Sequence, residues 1–518
     1  MPAFSTELLV IGGGATGLGV AWDACLRGIK VLLVDQSDLG QGTSGRYHGL
    51  LHSGGRYVIS DPASARDCAH ENEILRRLAP STIEDTGGLF VSAPADPPEF
   101  PDLWLAACGE TGVAAEEITV SQTIQHEPSL NPALTRAFRV RDASLDSFDL
   151  LHLLSASIRS AGGQVWLRHK VERLLMDGGA VVGAEVIDRS TGESRQVGAR
   201  VVVNAAGPWA KGIASMARVD LPIALGRGAM VAMASRLVNT VVNRCKPPSD
   251  GDILVPVGTV CILGTTDEAV RSPDDLTIAP WEIDLLLAEA EVLVPGIAGH
   301  RALRAWSGIR PLYRPSPALS AETRDLPRAH TILDHAATHG VPGLVSVIGG
   351  KLTTFRLMAE EVMQVVAPRL GTPAECRTAH TPLEPAGRVY HRLPRRLEQI
   401  EHPVNAPSPS VVCECELVTR PDLDAALRSI ESPDLDDLRR DLRLGMGPCQ
   451  AAFCAYRAAG LTARALPTAP LDGGLDEFLQ ERWRGLRPLA WGHTLRQLEF
   501  SRRVATELLG LPGTGEDA

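Results

Sequence analysis

Apolar residues come in short bursts along the chain, and several of the bursts end in small residues. The first, Leu8-Leu9-Val10-Ile11, suits a buried strand and runs directly into Gly12-Gly13-Gly14-Ala15-Thr16-Gly17. Helical spacing follows from Ala15 to Arg27, and Gly28 stands where a left-handed residue would end that helix. Lys30-Val31-Leu32-Leu33-Val34 predicts a second strand closing on Asp35. Two later bursts repeat the strand-to-small-residue pattern. They are Val201-Val202-Val203-Asn204-Ala205-Ala206-Gly207 and Val345-Ser346-Val347-Ile348-Gly349-Gly350-Lys351, the second leading into a helix from Thr353. Strand-like runs such as Asp252 to Pro256 and Val260 to Gly264 lie between them and carry no catalytic motif of their own.

The N-terminal strand, glycine turn, helix and second strand form a complete βαβ dinucleotide fingerprint. Gly12 makes the tight turn, Gly14 lets backbone approach a pyrophosphate, and Gly17 permits close packing of helix on strand. The unpaired N–H groups of the helix start, around Ala15 and Thr16, face the phosphates. Asp35 lies 23 residues after Gly12, where a carboxylate can accept bonds from ribose hydroxyls. The loop Asp38 to Arg46, with Gly42, Thr43 and Ser44, adds glycine and hydroxyl groups suited to the long contact surface of FAD. Three widely separated strand-to-glycine turns favour FAD over NAD, whose domain is usually complete within about 150 residues.

Composition narrows the class further. At 518 residues the chain should divide into two to four units. The 44% hydrophobic and 22% charged fractions are those of a globular protein, and the net charge of -11 opposes nucleic-acid binding. Met1 to Glu7 has no basic stretch, and no run reaches the roughly 18 apolar residues that span a bilayer. The expectation is a cytoplasmic protein able to dock peripherally on the inner face of the cell membrane.

Six of the ten cysteines are scattered; the other four are Cys413, Cys415, Cys449 and Cys454. A Pro-, Arg- and Glu-rich linker, Thr381 to Ser410, precedes them. Thr419 with Asp422 predicts the start of one short helix between the pairs, and Ser432-Pro433-Asp434 the start of another. Four thiolates from two turns suit a 2Fe–2S cluster or zinc. The single residue between the first two cysteines favours iron–sulfur; zinc and a vestigial site stay open. In the last segment Leu495, Leu498, Phe500, Val504, Leu508 and Leu509 are apolar at near-helical spacing. Packing on their own unit and docking a partner are both open for that helix.

Together, Gly12 to Gly17, Gly42-Thr43-Ser44, His48-Gly49-Leu50-Leu51-His52-Ser53-Gly54-Gly55-Arg56-Tyr57, Ser307-Gly308-Ile309-Arg310-Pro311-Leu312 and Gly349-Gly350-Lys351-Leu352-Thr353-Thr354 resemble the FAD-dependent glycerol-3-phosphate dehydrogenase family. The four-cysteine tail resembles that of the A subunit of the anaerobic three-subunit enzyme. This resemblance implies an α/β and α+β fold. A Rossmann-like FAD domain is assembled from discontinuous segments (about 1–90, 146–215 and 336–380), with a mostly antiparallel substrate domain inserted (about 91–145 and 216–335). A linker at 381–410, a small helical bacterioferritin-associated-ferredoxin-like 2Fe–2S domain at 411–470 and a helical tail at 471–518 complete it. It also implies that Val171, Gly207, Gly349, Gly350, Lys351 and Leu352 join the N-terminal residues around FAD.

The implied reaction is hydride transfer from C2 of sn-glycerol 3-phosphate to FAD, giving dihydroxyacetone phosphate. Electrons then pass to a quinone, directly or through a small flavin-bearing subunit together with a membrane-anchoring iron–sulfur subunit. A phosphate dianion needs arginine forks. Arg310 and Arg56 are expected at the substrate, with Tyr57 beside the flavin and either Arg328 or Arg324 as a further clamp. Lys351 is expected at the substrate oxygen or near the flavin. His52 suits a general base, or a structural histidine holding its glycine-rich loop. Two other readings stay open: a flavin enzyme acting on an amino acid or 2-hydroxy acid, and an electron-transfer subunit without substrate chemistry.

Overall fold

The computed structural model describes residues 4–316, 323–372, 375–383, 397–398, 410–429, 433–466, 471–508 and 510–511. Most of the expected linker, 381–410, therefore lies outside the described residues. The first strand, Phe4–Ile11, has Leu8, Leu9 and Val10 fully buried. It pairs in parallel with Val31–Val34 on one side and Ser194–Asn204 on the other. The far half of Ser194–Asn204 pairs in parallel with Leu344–Ile348, and its near half antiparallel with Ala180–Asp188. Three parallel strands in register thus end together, with Ile11 beside Asn204 and Asn204 beside Ser346. Their glycine turns open at one edge, the place where open α/β sheets receive ligands.

The first helix, Ala15–Leu26, covers this sheet as the apolar spacing predicts. Gly19 lets it approach the helix Phe355–Leu370: a Cβ there would lie 3.0 Å from the Phe355 ring and 3.1 Å from Ala359. Gly28 closes the first helix region at φ +78°. The later helix starts after a short 3-10 turn, Leu352–Thr354, two residues beyond the expected Thr353.

A second sheet of nine strands is antiparallel except where Val241–Arg244 runs beside Gly88–Ser92. Its longest pairing joins Ile223–Met233 to Ala302–Tyr313 and sets Arg310 opposite Gly226. The expected strand runs around 252–256 and 260–264 are the hairpin Ile253–Val257 and Val260–Gly264.

The C-terminal part has its own apolar core, including Val412, Leu423, Leu438, Ala455 and Phe478. Thr419 and Asp422 cap the helix Arg420–Ser429 reciprocally, and Asp434 caps Leu435–Leu442. In the helix Gly492–Arg503 and the turn after it, Leu498 packs inward, but Leu495, Phe500 and Leu508 are exposed. Leu509 lies outside the described residues. No helix among the described residues is long and apolar enough to cross a membrane.

Candidate active site

One cavity of about 1900 Å³ runs from the glycine turns of the first sheet to the second sheet. Of the residues expected around a dinucleotide, Gly12, Gly14, Ala15, Thr16, Asp35, Gly42, Thr43, Ser44, Val171, Gly207, Gly349, Gly350, Lys351 and Leu352 line it. Gly17 does not; a Cβ there would run into the Gly12 carbonyl, so it keeps the helix close to the turn. Gly12 sits at φ +116°, and a Cβ on it would lie 2.5 Å from the Ala205 oxygen. Both carboxylate oxygens of Asp35 accept backbone N–H groups, from Gly13 at 2.6 Å and from Ser37 at 2.8 Å. Burial raises its pKa to about 6. Ser44 Oγ accepts the Ala15 N–H at 3.0 Å, and Thr43 Oγ1 donates to the Ile309 carbonyl at 2.6 Å. The hydroxyls of that loop therefore brace the helix start and tie the loop to the strand that carries Arg310.

At the other end the cavity is lined by His48, His52, Arg56, Tyr57, Arg310, Arg324, Arg328 and Lys351. The cations are held by carboxylates that no motif marks. Asp267 faces both Arg310, at 3.3 Å, and Arg328, at 2.7 Å. Arg56 donates to Asp252 at 2.8 Å, and Arg324 pairs with Asp250. Among the described residues Lys351 makes no ion pair. Its Nζ lies 4.3 Å over the Tyr57 ring and donates to the Arg328 carbonyl at 3.3 Å. Among the described residues these five cations meet three directly paired carboxylates. Arg328 Nη1 is buried with no hydrogen-bond partner in the described structure. Burial first, and then the charge of Arg328, lower the Arg310 pKa to about 10, which leaves it charged at neutral pH.

His52 is buried against the 349–354 turn, its backbone N–H donating to Thr353 Oγ1 at 3.1 Å. Its ring lies 5.4 Å from Tyr57 and 5.9 Å from His48. Burial first, and then the neighbouring His48, Arg56 and Lys351, hold its pKa well below the usual histidine range.

The four clustered cysteines are neighbours in space. Each of the four thiols perturbs the ionisation of its neighbours, Cys449 with Cys415 and Cys454, and Cys454 with Cys413. The two pairs are brought together by the short hairpin Val411–Cys413 with Val418–Thr419 and the start of the helix Cys454–Ala465. Among the described residues no set of three His, Cys, Asp or Glu side chains is arranged as a metal-binding group.

The FAD dependent oxidoreductase family model matches residues 7–356. Over 536 residues the chain is 40% identical to the A subunit of anaerobic glycerol-3-phosphate dehydrogenase of Escherichia coli (strain K12), covering 99% of this chain and 98% of that one. It is 41% identical to the A1 subunit of the same enzyme from Haloferax volcanii, over 95% of this chain and 89% of that one. The chain belongs to the FAD-dependent oxidoreductase family that contains these relatives. Its fold is also that of the glycerol-3-phosphate dehydrogenase from Bacillus halodurans complexed with FAD, with a TM-score of 0.61 at 23% identity over 98% of this chain and 95% of that one.

The residues present fit the cofactor of this family. Gly12 and Gly14 bring bare backbone to the cavity wall, the helix Ala15–Leu26 points its start at it, and Asp35 keeps further lone pairs for hydroxyl donors. Sequence reasoning missed Asp250, Asp252 and Asp267, and treated His48 only as part of a motif. The sole signal for Asp267 was its place straight after a strand, in Gly264-Thr265-Thr266-Asp267, a common setting for site residues.

Proposed function

We propose that this flavoprotein oxidises sn-glycerol 3-phosphate to dihydroxyacetone phosphate. Its relatives at about 40% identity along nearly the whole chain carry that substrate in their names. The observation that carries the reading to this chain is the charge at the second-sheet end of the cavity. Among the described residues the five cations outnumber the three carboxylates that pair with them by two, an excess that suits a phosphate dianion.

In this reading Arg310 and Arg328, held side by side by Asp267, grip the phosphate with Arg56 and Arg324 nearby. Lys351 sits between the phosphate and the flavin end, its charge stabilised against the Tyr57 face. His52, kept neutral by burial and by surrounding cations, accepts the C2 hydroxyl proton. When bound, FAD supplies the two-electron acceptor for the hydride from C2. Asp35 would hold its ribose, while Gly12, Gly14 and the helix start would hold its pyrophosphate.

The chain divides in this reading into the FAD segments, the inserted substrate cap, the linker and the C-terminal unit as the sequence suggests. Cys413, Cys415, Cys449 and Cys454 would hold a 2Fe–2S cluster, which supplies a one-electron carrier. The support is the donor set, four adjacent thiols on a separate small core. Iron and acid-labile sulfide of about two each per chain, with an electron-paramagnetic signal on reduction, is the expected result; one zinc or no metal would oppose it. Electrons then leave to a quinone through partner subunits that bring this protein to the inner face of the membrane. Anaerobic titration of the FAD-loaded protein with glycerol 3-phosphate tests the main reading: its flavin absorbance bleaches.

A further inference from the structure

One polar side chain at the substrate end has no part in the chemistry above. His48 lines the cavity, and its Nδ1 accepts the backbone N–H of Leu50 at 3.1 Å. A ring nitrogen that accepts an N–H carries no proton, so the proton of a neutral imidazole is on Nε2. Among the described residues Nε2 meets no hydrogen-bond partner. The charges facing the ring are those of Arg56 and Arg310, and with burial they hold its pKa near 3. His48 therefore stays neutral, in one tautomer, throughout the working pH range. The neighbouring His52, 5.9 Å away edge-on, is in the opposite condition: neither of its ring nitrogens is engaged by a described residue.

We propose that His48 is a second member of the reaction centre, whose Nε2–H donates a hydrogen bond to the oxygen of the same substrate hydroxyl that gives its proton to His52. The two imidazoles thus divide the work, one fixed as donor and the other free as acceptor. The inference rests on the reading of the substrate as a phosphorylated secondary alcohol. In the forward step the O–H bond breaks towards His52 and the C2–H bond breaks with its electron pair going to FAD. The C–O bond becomes double, and His48 keeps its proton throughout. Its bond aims the hydroxyl hydrogen at His52 and steadies the charge that gathers on oxygen as the proton leaves. A neutral donor is suited to this place: a cation there would hold the alkoxide so firmly that departure of the hydride is opposed.

The test compares His48→Phe, which fills the ring volume without a donor, with His48→Gln, which offers an N–H again. FAD-loaded enzyme is mixed anaerobically with glycerol 3-phosphate and the bleaching rate followed. Binding of dihydroxyacetone phosphate and of inorganic phosphate is measured separately by equilibrium dialysis. Expected for His48→Phe is a rate lower by about 100-fold, with affinity for the ketone product lower by roughly tenfold. Phosphate affinity and FAD content should stay as they were. His48→Gln recovers at least about a tenth of the lost rate, and the shape of the pH profile is the same in all three proteins. Equal losses in both variants, tracking FAD content, would assign His48 to holding the loop and overturn the proposal. So would a His48→Phe protein with unchanged rate and product affinity. Wild-type enzyme that glycerol 3-phosphate does not bleach would instead remove the substrate reading itself.

Discussion

At the scale of single residues, the site is built on pairs that only tertiary structure creates. Arg310→Ala removes one prong of the proposed phosphate clamp and leaves Asp267 with Arg328 and the Thr323 hydroxyl. Losing one partner of a desolvated charge pair costs about 2–5 kcal/mol, so kcat/KM with glycerol 3-phosphate should fall by at least about 30-fold while FAD stays bound. FAD loss in step with activity would refute that role. Asp35 makes a pH prediction. Burial raises its pKa to about 6, and in the proposed site ribose hydroxyls donate more strongly to the carboxylate than to the acid, so FAD binding favours the ionised form. Affinity should therefore fall as pH drops below about 6, and Asp35→Asn should flatten that dependence. Fluorescence titration of apoprotein with FAD from pH 5 to 8 measures it. Arg310, Arg56, Lys351 and His52 were legible because each stands in a distinctive motif. Asp250, Asp252 and Asp267 were not, because a carboxylate in a strand end or turn looks the same whether or not an arginine from a remote strand faces it.

At the scale of elements, hydrophobic bursts followed by glycine located the three strands whose ends meet at the cofactor cavity. What the pattern could not give is their order. The strand Leu344–Ile348 lies beside Ser194–Asn204, and both lie on the same side of Phe4–Ile11, by pairing across more than 100 residues of intervening chain. Local periodicity has no access to such pairing. The glycines are where local and global requirements coincide. A Gly17→Ala substitution would place its Cβ against the Gly12 carbonyl and force helix and turn apart. Overpacking of this kind costs typically about 1–3 kcal/mol. The expected outcome is purified protein with most of its FAD missing and a lower thermal midpoint. A variant that keeps full FAD occupancy would contradict the packing argument.

At the scale of the whole molecule, the C-terminal unit grips the loop that lines the FAD cavity. Arg440, 2% exposed, donates to Asp38 and Asp437, each at 2.7 Å, and also pairs with Asp436. Arg443 spans from Asp146 to Glu416, the residue after Cys415. Nothing in the composition of either segment announces the contacts with Asp38 and Asp146, which lie 402 and 297 residues away in sequence. Arg440→Leu leaves Asp38 buried without its ion pair, while Asp437 keeps Arg168, and breaking such a buried pair costs about 3–5 kcal/mol. It should lower the thermal midpoint and release FAD during gel filtration; unchanged FAD content would show that the loop holds without the C-terminal unit. One cavity joins the FAD cradle to the proposed clamp for glycerol 3-phosphate. An anaerobic visible spectrum of the FAD-loaded protein, before and after glycerol 3-phosphate, tests it most directly. Bleaching of the flavin bands, with no bleaching by amino acids or 2-hydroxy acids, is the predicted result. Flavin bands unchanged by glycerol 3-phosphate in folded, FAD-loaded protein would contradict it.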